Sequence, residues 1–232
     1  MATLILIRHG RSTANTSGVL AGRSVGVHLD DRGREQAAGL VERLAQVEIS
    51  HAVSSPLERC QQTAEPLIAS RRLELITEDG LAECDYGEWT GRPIKALVAA
   101  PLWKTVPRNP SAVRFPGGES LQQMSARAID AVRRHDSWVE QQHGAQAAWV
   151  AFSHGDLIKS VIADALGMHL DLFQRVHVDP GSISVLRYGT SRPSVLAVNT
   201  HAGDLGWVTP PKQAEVPADD AVVGGGSGPA GR

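Results

Sequence analysis

The run Thr3-Leu4-Ile5-Leu6-Ile7 passes without a break into Arg8-His9-Gly10, and no other stretch of the chain narrows the fold as much. A continuous aliphatic run of strand length is the pattern of a strand covered on both faces, as in the middle of a parallel sheet with helices on either side. The run has no basic flank before it, and Arg8 and His9 end it too early for a signal peptide or a membrane span. The expected location is therefore the cytoplasm, with no membrane partner.

The chain after this strand alternates between strand and helix patterns. Asp30 can cap a helix whose apolar positions Ala37, Leu40, Val41 and Leu44 recur at helical spacing. His51 to Ser54 reads as a short strand. Ser55-Pro56-Leu57-Glu58 then has the form of a helix start: a capping serine, proline in the first helical position and a glutamate that closes a capping box. Leu73 to Thr77 and Ala148 to Phe152 are further strand candidates, separated by a helix with Leu121, Met124, Ala128 and Val132 on one face. A helix over Leu157 to Leu166 ends near Gly167, and Ser182 to Tyr188 with Val195 to Thr200 forms a hairpin pattern that could close the sheet. The class is α/β, in one domain over residues 1–208. From Thr209 the chain is rich in Pro, Ala, Asp and Gly, so 209–232 is expected to be a disordered tail.

With 23 Lys and Arg against 25 Asp and Glu, the formal net charge of −2 provides no global field for nucleic acid, so an anion site must be local. The two cysteines, Cys60 and Cys84, fit no zinc or redox spacing and are read as free thiols.

Two histidines stand at strand ends in matching contexts, in Arg8-His9-Gly10 and Ser153-His154-Gly155. Ligands of open α/β sheets bind at the carboxyl ends of the strands, so the two could meet around one ligand, each followed by a glycine that permits a tight turn. Arg59 falls in the first turn of its helix, where backbone N–H groups and the helix dipole already favour an anion. Taken singly, each of these residues would more often be a satisfied strand-end histidine or a surface arginine.

Together they lie within five ordered blocks: Leu6-Ile7-Arg8-His9-Gly10 with Asn15; Ser55-Pro56-Leu57-Glu58-Arg59 with Thr63-Ala64; Leu81-Ala82-Glu83 before Gly87-Glu88-Trp89-Thr90-Gly91; Pro116-Gly117-Gly118-Glu119-Ser120; and Ser153-His154-Gly155. This order resembles the histidine phosphatase superfamily, in the branch that includes phosphoglycerate mutases. The resemblance implies a three-layer αβα sandwich with a mostly parallel central sheet. His9 would be the nucleophile, with Arg8, Arg59 and His154 around the phosphoryl oxygens, Asn15 as an added donor and Gly155 beside the substrate. Glu83 would be the general acid and base, with Glu88 the competing candidate and Asp85 a third. No cofactor and no metal are implied, because fixed cations already meet the charge of the transferred group.

The same resemblance frames the choice between phosphatase and mutase. Glycolytic mutases of this family carry a longer insertion with a Tyr-Lys-Arg-Arg type cluster after the acid. Here the only basic groups between Glu83 and the Pro116 block are the scattered Arg92, Lys95, Lys104, Arg108 and Arg114. That favours a phosphatase acting on a small-molecule phosphate ester, with phosphomutase as the alternative. Arg23 could reach a remote charge of the substrate, although a solvated loop arginine is as good a reading, and it stays outside the catalytic set. A non-catalytic phosphate-binding module is disfavoured by the presence of both His9 and Glu83. A metal-dependent hydrolase would need Asp30, Asp31 or Asp156, and Asp30 is better explained as a cap. A homo-oligomer is compatible with the sequence, which does not single out one ester.

Overall fold

The computed structural model describes residues 2–189 and 192–201; the tail expected over 209–232 lies outside them. The strands are β1 (Thr3–Arg8), β2 (Ile49–Ser54), β3 (Leu75–Thr77), β4 (Ala148–Ser153), β5 (Ile183–Arg187) and β6 (Ser194–Thr200). They form one sheet in the order β3-β2-β4-β1-β5-β6. β3, β2, β4 and β1 are mutually parallel, while β5 and β6 add on antiparallel, the expected hairpin at one edge.

The helices are α1 (Thr13–Ser17), α2 (Asp31–Arg43), α3 (Glu58–Arg71), α4 (Ile94–Leu97), α5 (Leu121–His143) and α6 (Gly155–Ala165). Side-chain alternation in the central strands sends every second residue to a different core. Leu4 and Leu6 of β1 join Trp149 and Ala151 of β4 in a core built with α5 and α6. Ile5 and Ile7 join Val150 and Phe152 in a second core built with α2 and α3. Both faces of the sheet are thus covered, which makes the three-layer αβα sandwich and explains why the first strand reads as unbroken apolar sequence.

Local starts and stops follow side-chain chemistry. Asp30 caps α2 by accepting from the Gly33 N–H, and Ser120 with Gln123 forms a reciprocal capping box on α5. The Ser55 expectation is corrected: α3 begins only at Glu58, its N-cap is Leu57, and no side chain caps it. Ser55 has a tertiary partner instead, described below. β3 starts two residues later than the apolar pattern suggests, and β2 starts two residues earlier.

A segment rich in short 3-10 turns, from Gly87 to Ala112, joins the end of the acid block to α5. Its apolar groups are internal: Trp89 is buried, stacks on Trp103 at 5.9 Å and meets Phe115 edge-on at 5.4 Å. Trp89, Trp103 and Trp149 therefore pack this segment and the core, whereas Trp138 is partly exposed. Among the described residues no helix is long and apolar enough to cross a membrane.

Because Leu4 is fully buried between β4 and the α5–α6 layer, we expect Leu4→Ala to lower the unfolding free energy by about 2–5 kcal/mol in urea titrations. Leu196→Ala, at a half-exposed position on β6, should change it by less than about 0.5 kcal/mol. Equal effects at the two positions would contradict this account of the core.

Candidate active site

β1 and β4 pair in parallel so that Arg8 stands opposite Ser153, and the ladder continues one step further with the His9 N–H donating to the Ser153 carbonyl at 2.9 Å. The two strand-end histidines therefore leave the sheet side by side, with ring centroids 5.2 Å apart. Arg8, His9, Arg59, Glu83 and His154 are all at most 3% exposed. The chain thus gathers four of its potential cations and a carboxyl into one buried rim.

The glycines act differently from the sequence expectation. Neither Gly10 nor Gly155 lies in the left-handed region. Gly10 is needed for close approach, since a Cβ there would stand 2.6 Å from the Gly33 carbonyl oxygen at the start of α2. Gly155 is simply the first residue of α6.

The hydrogen bonds determine both imidazole tautomers. Nδ1 of His9 lies 2.7 Å from the Gly10 carbonyl oxygen, which can only accept, so Nδ1 carries the proton and Nε2 keeps its lone pair. Arg59 Nη2 donates to Nδ1 of His154 at 3.1 Å, so that ring carries its proton on Nε2 and donates it to Ser55 Oγ at 2.8 Å. Burial, reinforced by the Arg59 and Arg8 charges, holds His9 well below the usual histidine range. Burial and Arg59 do the same to His154, with His9 and Arg8 adding to it. Both rings are neutral at physiological pH.

The arginines are held from behind. Arg8 Nη1 donates to the Val178 carbonyl at 2.8 Å, and burial pulls its pKa down. Arg59 Nη2 also donates to the Gly22 carbonyl at 2.9 Å, whereas its Nη1 is buried with no hydrogen-bond partner. An unpaired, fully buried guanidinium nitrogen is a donor that an anionic oxygen would satisfy.

Glu83 sits on the same rim, with Oε1 accepting from the Cys84 N–H at 2.9 Å and Oε2 3.8 Å from His154 Nδ1. Burial, with the Asp156 charge added, raises its carboxyl to about 7. Its sequence rivals are elsewhere. Glu88 is exposed, and Asp85 accepts the Gly87 N–H in a local turn. Asp30 is engaged as a cap and with Arg11, and Asp156 accepts from Tyr86 at 3.3 Å beside Lys159 at 3.7 Å.

Asn15 is only partly incorporated. Its Oδ1 accepts from the Ser12 N–H and hydroxyl in the α1 capping box, so its amide nitrogen is the end left to donate. The cysteines are buried free thiols. Cys60 Sγ lies 3.4 Å from His154 Nε2, but burial pushes its thiol up to about 12, so it packs as a neutral group.

The family model described as histidine phosphatase superfamily (branch 1) matches residues 4–201. The chain belongs to that superfamily. Phosphoserine phosphatase 1 of Hydrogenobacter thermophilus is 30% identical over 209 residues, covering 88% of this chain and 96% of that one. A phosphoglycerate mutase-like protein 4 of Arabidopsis thaliana is 31% identical and covers 69% of each chain. Among solved structures, an α-ribazole phosphatase from Shigella flexneri superposes with a TM-score of 0.76 at 27% identity, covering 85% of this chain and 96% of that one.

In this member of the superfamily the motif blocks supplied the central side chains but not their supports. Ser55 fits a local capping pattern so well that its bond to His154, 99 residues away, is hidden in sequence. Thr63 accepts the Gly10 N–H at 2.9 Å and donates to the Arg59 carbonyl at 2.6 Å, tying the His9 and Arg59 segments together. Its only sequence signal was its place in the second block.

We expect Arg59→Ala to weaken binding of inorganic phosphate or vanadate by about 10 to 100-fold, the value of one or two charge-assisted hydrogen bonds. Arg59→Lys should fail to restore it, because a lysine cannot reach Gly22, His154 and an anion together. Isothermal titration of the three proteins checks this; wild-type affinity in Arg59→Ala would remove Arg59 from the site.

Proposed function

We propose that this chain hydrolyses small-molecule phosphomonoesters through a phosphohistidine on His9. The observation that carries the reading is the neutral, Nδ1-protonated His9, whose Nε2 lone pair is free beside two buried arginines and a carboxyl with a raised pKa. Its relatives named as phosphatases support the same reading.

Nε2 of His9 attacks phosphorus in line. The P–O ester bond breaks, and Arg8 and Arg59 donate to the equatorial oxygens as negative charge spreads over them, while His154, its own proton engaged by Ser55, orients Arg59 by accepting from its Nη2. Glu83, protonated because burial disfavours its carboxylate, gives its proton to the leaving alkoxide. The resulting carboxylate then takes a proton from water as that water attacks the phosphohistidine, the P–N bond breaks, and inorganic phosphate leaves. Asn15 adds a donor to the bound phosphoryl group, and the Gly155 backbone lines it. The cations are supplied by the chain itself, so no metal takes part.

Turnover with a panel of small phosphomonoesters in EDTA tests the proposal. Phosphate release that resists the chelator and disappears in His9→Ala is expected. Isomerisation of a phosphoglycerate without net release would move the chain to the mutases, and full activity in His9→Ala would remove the nucleophile. Glu83→Gln should slow an alkyl phosphate far more than p-nitrophenyl phosphate, whose leaving group needs little protonation. An acid must be protonated to act, so kcat/KM for the alkyl ester should fall as pH rises through about 7. That alkaline limb should vanish in Glu83→Gln; its persistence would assign the titration to another group.

A further inference from the structure

Glu83 lies in a stretch without helix or strand, Glu83 to Tyr86, so no ladder holds its backbone in place. Positioning must come from side chains. Two guanidinium groups converge on the Glu83 carbonyl oxygen: Arg127 Nη2 of α5 donates at 3.0 Å and Arg23 Nε at 2.8 Å. Arg127 also donates from Nη1 to the Gly80 carbonyl at 2.8 Å, so it ties the turn at 79–81 to Glu83.

The two arginines are themselves fixed by one carboxylate. Glu119 accepts from Arg127 through Oε2 (Nε, 3.0 Å) and Oε1 (Nη2, 2.7 Å), a bidentate pair that sets the plane of the guanidinium. Oε1 accepts as well from Arg23 Nη2 at 3.1 Å and from the Asp85 N–H at 2.8 Å, while the Glu119 N–H donates to the Asp85 carbonyl at 3.0 Å. Burial alone would raise the Glu119 carboxyl, but the bonds from Arg127 and Asp85 outweigh it and keep the group ionised. Arg23 follows Gly22, whose carbonyl accepts from Arg59. One network therefore joins the backbone of the carboxyl group to the loop held by the phosphate-facing arginine.

We infer that Glu119 and Arg127 are positioning residues that hold the Glu83 carboxyl at the leaving-group oxygen by clamping its backbone, with Arg23 closing the clamp from the opposite loop. The inference rests on the reading of Glu83 as general acid. Neither residue touches the reacting atoms. A misplacement of about 1 Å in a catalytic group can slow a step about 100-fold, which sets the size of the effect to be sought.

The test compares Glu119→Gln and Arg127→Lys with wild type and Glu83→Gln, measuring kcat and KM on an alkyl phosphate and on p-nitrophenyl phosphate, vanadate affinity, and the melting temperature. Glu119→Gln keeps the shape but removes the charge, and Arg127→Lys keeps the charge but removes the fork. We expect kcat on the alkyl ester to fall about 10 to 100-fold in each, with p-nitrophenyl phosphate falling less than about 3-fold and vanadate affinity kept within about 2-fold. The double variant should be no worse than the poorer single one, since either change opens the same clamp. Equal losses on both esters, or a wild-type kcat on the alkyl ester, would overturn the inference when Glu83→Gln retains its own leaving-group dependence. A Glu83→Gln without that dependence would instead overturn the reading of the acid. A folding defect alone would appear as a lowered melting temperature with both esters affected alike, and it too would count against the clamp.

Discussion

The pairing of β1 with β4 is the constraint on which the site depends. Arg8 opposite Ser153 brings two histidines, 145 positions apart in the sequence, to neighbouring strand ends. The bond from the His9 N–H to the Ser153 carbonyl carries that register one residue past the sheet. A slip by one residue would turn Leu4 and Leu6 into the wrong core and send the histidines to opposite faces. The same alternation that buries two apolar layers thus determines where the reactive rings stand.

Around those rings, burial does chemical work through charge. Burial, reinforced by the charges of two arginines held by backbone carbonyls, keeps the neighbouring histidines neutral, and one becomes an acceptor for Arg59. The low-dielectric setting simultaneously raises Glu83 and makes its proton available near neutral pH. The proposed nucleophile and acid would therefore be prepared by one environment acting on groups of opposite charge type. A bound phosphate dianion is the natural complement, because it would satisfy the unpaired Arg59 Nη1 and offset the concentrated positive charge.

Much of this was legible in the sequence because apolar periodicity and short chemical blocks are local. The aliphatic run at 3–7, the Asp30 cap and the apolar face of α5 follow from neighbouring residues, and the structure has them where the patterns indicate. What sequence could not show was long-range: Ser55 satisfies a local capping rule yet bonds to His154, and Arg127 is one arginine on a helical surface until α5 packs beside Gly80 and Glu83. Glycine was recognised for the wrong reason, since close approach at Gly10 rather than a left-handed turn is what excludes a side chain. Glu83 and Glu88 were indistinguishable in kind and differ in burial, which only the folded chain decides.

The central claim is that the phosphoryl group passes through two displacements, first to His9 and then to water. The stereochemical outcome at phosphorus tests this directly, using an alkyl phosphate made chiral with oxygen isotopes and transfer to an alcohol acceptor. Each in-line step inverts phosphorus, so two steps predict overall retention. Net inversion would mean direct attack by the acceptor on the ester and would contradict a phosphohistidine intermediate.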